Sequence, residues 1–209
     1  MKTIGEIVRL QVQRSSLKLH NLDVPAAAHP QRYDPSPLLV VPRLLLTDQG
    51  VIGLLEDDPA DERVLDVHNT LHPATKNHDG INDVSVGFTA HYAAMRERFG
   101  PHLSDGIAGE NVLIQTSSRI SPEQVRGGLA IQTQAGALAL LENVVVAEPC
   151  VPFTRFCLRL RPADPSSPAV TDGVRWLREG MRGYYANYAG TEAAEVVLRL
   201  GDRVRLLGG

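Results

Sequence analysis

The sequence has few cysteines, few aromatic residues and no long apolar run. Of its 209 residues only two are cysteine, which is too few for a disulfide framework. We therefore expect a protein from a reducing compartment, and we assign it to the cytoplasm. No apolar run reaches the roughly 18 residues that a membrane-spanning helix needs. The start of the chain also lacks the apolar segment and cleavage site of a signal peptide.

A strong charge of either sign is also missing. Lys and Arg total 21 against 24 Asp and Glu, which gives a net charge of −3. This balance predicts neither nucleic acid nor an anionic membrane surface as a partner. Because aromatic residues make up only 5% of a chain that is 43% apolar, we expect a core of Val, Leu, Ile and Ala. The length fits one domain over residues 1–209.

What the chain does contain is many turns between short apolar segments, with 18 Gly and 14 Pro. Val8, Leu10 and Val12 alternate with polar residues and predict a first strand. Residues 21–37 carry four prolines and predict an irregular excursion. We therefore place the domain core at about residues 38–209, with residues 1–37 as an N-terminal strand plus that excursion.

Strand–turn–strand patterns recur along that core. Apolar segments flank Thr47-Asp48-Gln49-Gly50, and a second pair of segments flanks Ala135-Gly136. About nine strands are joined mostly by turns too short for helical crossovers. The sequence therefore predicts a mainly β, barrel-like fold of mostly antiparallel strands with a few peripheral helices.

Apolar spacing predicts two helices. The first covers residues 88–99, and Gly100 ends it because glycine accepts a left-handed cap conformation. The second surrounds Leu177, with Thr171 or Asp172 as its N-cap. A long polar segment, residues 57–83, separates the early strands from the first helix, and a loop of this length is usually functional or mobile.

Cys150 is the first candidate for chemistry. It follows a long apolar strand and lies between Pro149 and Pro152, which restrict the backbone on both sides. Arg155, five residues further on, would favour a thiolate able to bind a soft metal or act as a nucleophile. The alternative is an inert cysteine that only packs, and this is our interpretation of Cys157.

Three further clusters carry polar chemistry. His68, His72 and His78 include a four-residue spacing that suits zinc, but Pro73 follows directly, and a polar loop closing over a pocket is the preferred interpretation. A glycine turn, Gly109-Glu110-Asn111, presents a carboxylate and an amide that could orient a ligand. Arginines that could form one basic helix face, or simply a solvated one, are Arg175, Arg178 and Arg182.

Several short segments, taken in their order along the chain, resemble a MOSC domain, the domain found at the C-terminus of molybdenum cofactor sulfurases. The resemblance runs from about residue 38 to the end of the chain. It rests on residues 41–53, 105–113 (DGIAGENVL), 148–150 (EPC), 181–186 (MRGYYA) and 200–204 (LGDRV). Two departures mark a divergent member: residues 66–73 replace a His-x-Gly-Gly stretch, and Gly127-Gly128 replaces a Gly-Asp turn.

The resemblance implies a β-barrel-like fold in which one cysteine handles molybdenum or sulfur. Cys150 would be the metal ligand and the catalytic residue, because thiolate is a soft ligand that suits such a metal. Gly109, Glu110 and Asn111 would shape the pocket, and Arg182 would anchor the phosphate of the molybdenum cofactor, molybdopterin.

The leading hypothesis is an oxidoreductase that reduces small N-hydroxylated compounds at cysteine-ligated molybdenum. A separate redox partner would supply electrons, because the chain has no flavin, haem or iron–sulfur motif. The alternatives are a sulfur carrier that receives a Cys150 persulfide from a pyridoxal-phosphate-dependent cysteine desulfurase, and a small-ligand binding module without chemistry. The sequence determines neither the substrate nor the oligomeric state, and residues 21–37 could equally be an arm in a homodimer or a surface loop.

Overall fold

The computed structural model describes residues 2–20, 31–55, 62–161, 164–190 and 195–208. Within these ranges the chain forms short strands and four short helices. The strands are β1 (Lys2–Gln13), β2 (Lys18–His20), β3 (Gln31–Tyr33), β4 (Leu38–Val40), β5 (Arg43–Thr47), β6 (Gly50–Leu54), β7 (Arg63–Leu65), β8 (Val84–Phe88), β9 (Val112–Gln115), β10 (Leu129–Gln132), β11 (Leu138–Val146), β12 (Tyr184–Tyr188), β13 (Val196–Arg199) and β14 (Arg203–Leu206). The helices are α1 (Thr89–Phe99), α2 (Pro122–Val125), α3 (Val151–Cys157) and α4 (Pro168–Leu177).

Seven of these strands close into a mixed barrel, which confirms the predicted fold class. The order is β14-β10-β11-β12-β8-β9-β1, and β14 pairs with β1 to complete the ring. All neighbours in it are antiparallel except β8 and β9, which are parallel and joined through α1. A parallel pair needs such a crossover, because a tight turn can join only antiparallel neighbours.

The first strand belongs to the barrel, so the domain core begins at residue 2 and not at about residue 38. β1 lies between β14 and β9 and buries Ile7, Leu10 and Val12. Val8 was predicted to share a face with Leu10, but it is 37% exposed. The register with β9 shifts between Ile7 and Arg9, and this bulge turns Val8 outward.

A second sheet, in the order β13-β5-β6-β7, packs its apolar residues into the same core as the barrel. The predicted β5–β6 hairpin is confirmed, with Thr47 opposite Gly50. β7 lies in the segment that was predicted to be a polar loop. Within the predicted excursion, residues 31–33 form β3, which pairs antiparallel with β2, whereas residues 21–30 lie outside the described ranges.

α1, α3 and α4 share a second apolar cluster, whereas Val125 of α2 packs in the barrel core. α1 agrees with the prediction, but α4 begins at Pro168 with Ser167 as its N-cap, so Thr171 and Asp172 lie inside the helix. α3 was not predicted. It approaches α4 so closely that a Cβ on Gly173 would lie 2.6 Å from the Thr154 Cγ2 atom. None of the helices in the described ranges has the length and apolarity to cross a membrane.

Candidate functional site

Cys150 lies where the barrel strand β11 gives way to α3. Ala147 N donates to the Gly183 carbonyl at 3.0 Å and fixes this exit against the start of β12. Cys150 is the N-cap of α3, and its carbonyl accepts hydrogen bonds from Thr154 N (3.0 Å) and Thr154 Oγ1 (3.1 Å). Its backbone is therefore held in place, and its side chain is partly exposed and not disulfide-bonded.

Arg182 supplies the cation beside this thiol. Its Nη1 donates to the Glu148 carbonyl at 2.8 Å, and its guanidinium carbon lies 5.6 Å from the centre of the Phe153 ring. Its Nε is enclosed and has no hydrogen-bond partner within the described ranges. Burial lowers the pKa of Arg182, but the neighbouring Tyr185 and Cys150 outweigh it, so the pKa lies above its usual value. The group is a fixed cation with an unused donor.

The sequence suggests that Arg155 favours a thiolate at Cys150, but the structure shows its side chain bonded to the backbone after α3. Its side chain is buried, and its Nη2 donates to the carbonyls of Arg161 (2.6 Å) and Asp164 (2.7 Å). It therefore holds the turn that follows α3. Nor do the three candidate arginines form one helix face: Arg175 pairs with Asp172 and Arg178 pairs with Glu148 at the surface, whereas Arg182 follows the end of α4.

Lys76 is a second cation near the thiol, and no sequence pattern marks it. The residue is exposed, yet the protein around its ammonium group, together with nearby Lys18 and Arg182, lowers the pKa to about 8. Asp66 and Cys150 act in the opposite direction. Lys76 therefore lies within electrostatic range of both the Asp66 carboxylate and the Cys150 thiol.

Glu110 is a buried acid whose carboxylate is only half used. Its Oε2 accepts a hydrogen bond from Tyr92 Oη at 2.7 Å, whereas Oε1 is enclosed without a partner in the described part of the chain. Burial raises the pKa of Glu110 to about 7. Two glycines leave space for the Glu110 side chain. A Cβ added to Gly87 would lie 2.7 Å from Glu110 Oε1, and one added to Gly183 would lie 3.3 Å from Glu110 Cγ.

The Asn111 side chain forms hydrogen bonds to other groups of the protein. Its Oδ1 accepts from Ser85 N (3.0 Å) and Ser85 Oγ (2.8 Å), and its Nδ2 donates to the Gln11 carbonyl (3.2 Å) and Asp66 Oδ2 (2.8 Å). These bonds use the full hydrogen-bonding capacity of the amide. Asn111 therefore positions Asp66, and it has no free atom with which to orient a ligand directly.

The glycine turn is held by two glutamines of β1. Gln11 Nε2 donates to the Gly106 carbonyl at 2.7 Å, and Gln13 Nε2 donates to the Gly109 carbonyl at 2.9 Å. Both glutamines are buried, although their alternation with apolar residues predicts positions facing solvent. Gly109 has φ +98°, and a Cβ there would lie 2.7 Å from Leu17. Its contribution to the site is this backbone conformation.

Of the three candidate histidines, only His68 joins the polar network. Its Nδ1 lies 2.8 Å from Asp66 Oδ1. His72 instead lies close to the Arg14 carbonyl and accepts from Ala74 N. Across the described ranges, no three His, Cys, Asp or Glu residues are grouped closely enough to hold a metal ion together.

The comparisons with known proteins bear on the fold alone. No family model and no curated protein matches this sequence. Among solved structures, a hypothetical protein has 13% sequence identity and a TM-score of 0.53, covering 99% of this chain and 69% of that one. The YUAD protein from Bacillus subtilis has 12% identity and a TM-score of 0.46, covering 95% of this chain and 96% of that one.

Proposed function

We propose that this protein binds a molybdenum–pterin cofactor through Cys150 and reduces small N-hydroxylated compounds. One observation carries the proposal: a partly exposed thiol lies within electrostatic range of Arg182, whose enclosed Nε has no partner in the described part of the chain. A soft donor beside a cation with an unused N–H suits a ligand that has both a soft metal and an anionic group. The sequence resemblance to MOSC domains suggests the same ligand.

The residues present fit that cofactor. Cys150 would be the metal ligand, because thiolate is soft and its backbone is already fixed by Thr154. Arg182 would hold the phosphate through Nε, while its Nη1 remains on the Glu148 carbonyl. Lys76 would add a second positive charge near the thiol. When bound, the cofactor would supply oxygen-atom transfer chemistry, with electrons from a separate redox protein.

Glu110 would adjust the net charge of the site by taking up a proton when an anionic ligand binds. Arg182 acts on Glu110 and helps to keep its pKa from rising further. An anion bound to the guanidinium would weaken that effect, because it neutralises the charge that favours the carboxylate. Glu110 would then take up a proton, so the pocket would accept an anionic ligand without adding a second negative charge.

Metal analysis tests the proposal. Wild-type protein purified from cells that make the cofactor should contain about one molybdenum atom per chain, because it offers one suitable thiol. Cys150→Ser should contain none, whereas the matched control Cys157→Ser should retain it. Wild-type protein without molybdenum would overturn the proposal.

The cations favour a second candidate, a sulfur carrier. A persulfide on Cys150 would carry negative charge at neutral pH, and Arg182 and Lys76 would stabilise it in place of the cofactor. Incubation with a cysteine desulfurase and cysteine should then add one sulfur atom to the intact mass of the wild type, and a reductant should remove it. If Cys150→Ser gained the same mass, Cys150 could not be the carrier.

A further inference from the structure

Beside the proposed cofactor site, the polar loop contains an imidazole with one occupied and one open nitrogen. Nδ1 of His68 lies 2.8 Å from Asp66 Oδ1. Nε2 has no hydrogen-bond partner among the described residues, and the His68 side chain remains 9% exposed. The ring is therefore anchored on one side, while its other nitrogen is open to a ligand or to water.

Asp66 is built to hold this ring in one orientation. Its carboxylate is buried and also accepts from Gln13 N (2.7 Å), His68 N (2.9 Å) and Asn111 Nδ2 (2.8 Å). Burial raises the pKa of Asp66, but the His68 ring and the backbone N–H groups of Gln13 and His68 outweigh it and keep the pKa below its usual value. An ionised acid at Nδ1 requires the proton on that nitrogen, so the neutral ring has its free electron pair on Nε2.

Two residues, Tyr185 and Lys76, connect the surroundings of the His68 ring with those of the thiol. The His68 and Tyr185 ring centres are 5.6 Å apart, and Tyr185 acts electrostatically on Arg182. The Lys76 ammonium group lies within electrostatic range of both Asp66 and Cys150. Tyr185 and Lys76 are therefore each near both the Asp66–His68 pair and the groups that would hold the cofactor.

We propose that His68 is the proton donor for the reaction in this site and that Asp66 is its positioning residue. The inference rests on the proposed function. Reducing an N-hydroxylated amine to the amine and water uses two electrons from the redox protein and two protons. The N–O bond breaks, and one N–H bond and one O–H bond form. His68 first takes up a proton from solvent on Nε2 and, as the imidazolium, gives that proton to the substrate, which returns the ring to its neutral form. The second proton comes from solvent.

The first test compares two histidine variants of the cofactor-loaded protein. His68→Gln should lower kcat by about 100-fold or more, as expected when a general acid is lost, with unchanged molybdenum content. The matched control His72→Gln, in the same loop, should stay within about twofold of the wild type. A His68→Gln variant with full kcat would overturn the inference, and so would one that loses its molybdenum, because His68 would then serve cofactor binding.

The second test does not depend on the cofactor. The 15N chemical shifts of the His68 ring, measured where the imidazole is neutral, should show the proton on Nδ1 and none on Nε2. Asp66→Asn should weaken that preference while His72 keeps its own shifts. A proton on Nε2 in the wild type would overturn this inference alone, whereas wild-type protein without molybdenum would overturn the proposed function.

Discussion

The two cysteines lie at opposite ends of α3 and pack against the same apolar cluster, but only Cys150 is partly exposed. Cys157 is fully buried in an apolar cluster with Met95 and Leu177, and burial raises the pKa of its thiol to about 12. Cys150 is partly exposed, next to a guanidinium whose Nε has no partner within the described ranges. Burial disfavours a thiolate at Cys157. We therefore expect Cys157 to act only in packing, and we expect the partly exposed Cys150 to be the thiol that a ligand can reach.

The largest effect should come from removing Arg182, the cation near the Cys150 end of α3. Arg182→Met removes the free Nε and the charge facing Cys150, so affinity for the cofactor should fall by about 4 kcal/mol, close to a thousandfold. Molybdenum content of the purified variant is the measurement.

The matched control is Arg178→Met. Arg178 pairs with Glu148 at the surface, where both side chains are well exposed, and such pairs contribute little. This variant should keep the molybdenum content of the wild type. Equal loss in both variants would show that general positive charge near α4, and not the enclosed donor of Arg182, holds the ligand.

A smaller effect should come from replacing Glu110, the buried acid near Arg182. The pKa of Glu110 is raised to about 7 in the folded protein from 4.5, so its contribution to stability is fully present below pH 4.5 and is lost as the pH rises through 7. Glu110→Gln stays neutral and avoids that loss. Its free energy of unfolding should exceed that of the wild type by about 3 kcal/mol at pH 8 and match it near pH 4.

Urea unfolding of the cofactor-free protein at the two pH values measures this difference. Glu97→Gln is the matched control, because Glu97 is exposed on the same helix as Tyr92. It should show no such pH dependence. A Glu110→Gln variant that follows the wild type at both pH values would mean that Glu110 is ionised in the folded state without a cost.

The fold was predictable from local patterns, except where pairing across the sheet changed them. The spacing in α1 and the glycine that ends it belong to one short segment, so the sequence alone predicts them. The bulge at Val8 depends on the register with β9. α3 does not follow from its local sequence, because the prolines around Cys150 predict a rigid strand exit as readily as the first turn of a helix, where proline is well tolerated.

The site divides in the same way. Cys150, Glu110 and Arg182 are candidates on the sequence alone, because each lies in a short segment that takes part in the resemblance to MOSC domains. Lys76 and Gln13 are not, since their importance comes from groups far along the chain. Gln13 Nε2, for example, bonds to the Gly109 carbonyl, and no alternation pattern within β1 distinguishes that buried amide from one facing solvent.

Alkylation of the folded, cofactor-free wild-type protein with iodoacetamide, followed residue by residue by mass spectrometry, tests the central claim most directly. Cys150 should react at least ~100 times faster than Cys157, which becomes accessible only when the apolar cluster opens. If the two thiols react equally slowly, Cys150 is closed to ligands. The chain would then be a binding module whose cysteine has no chemical role.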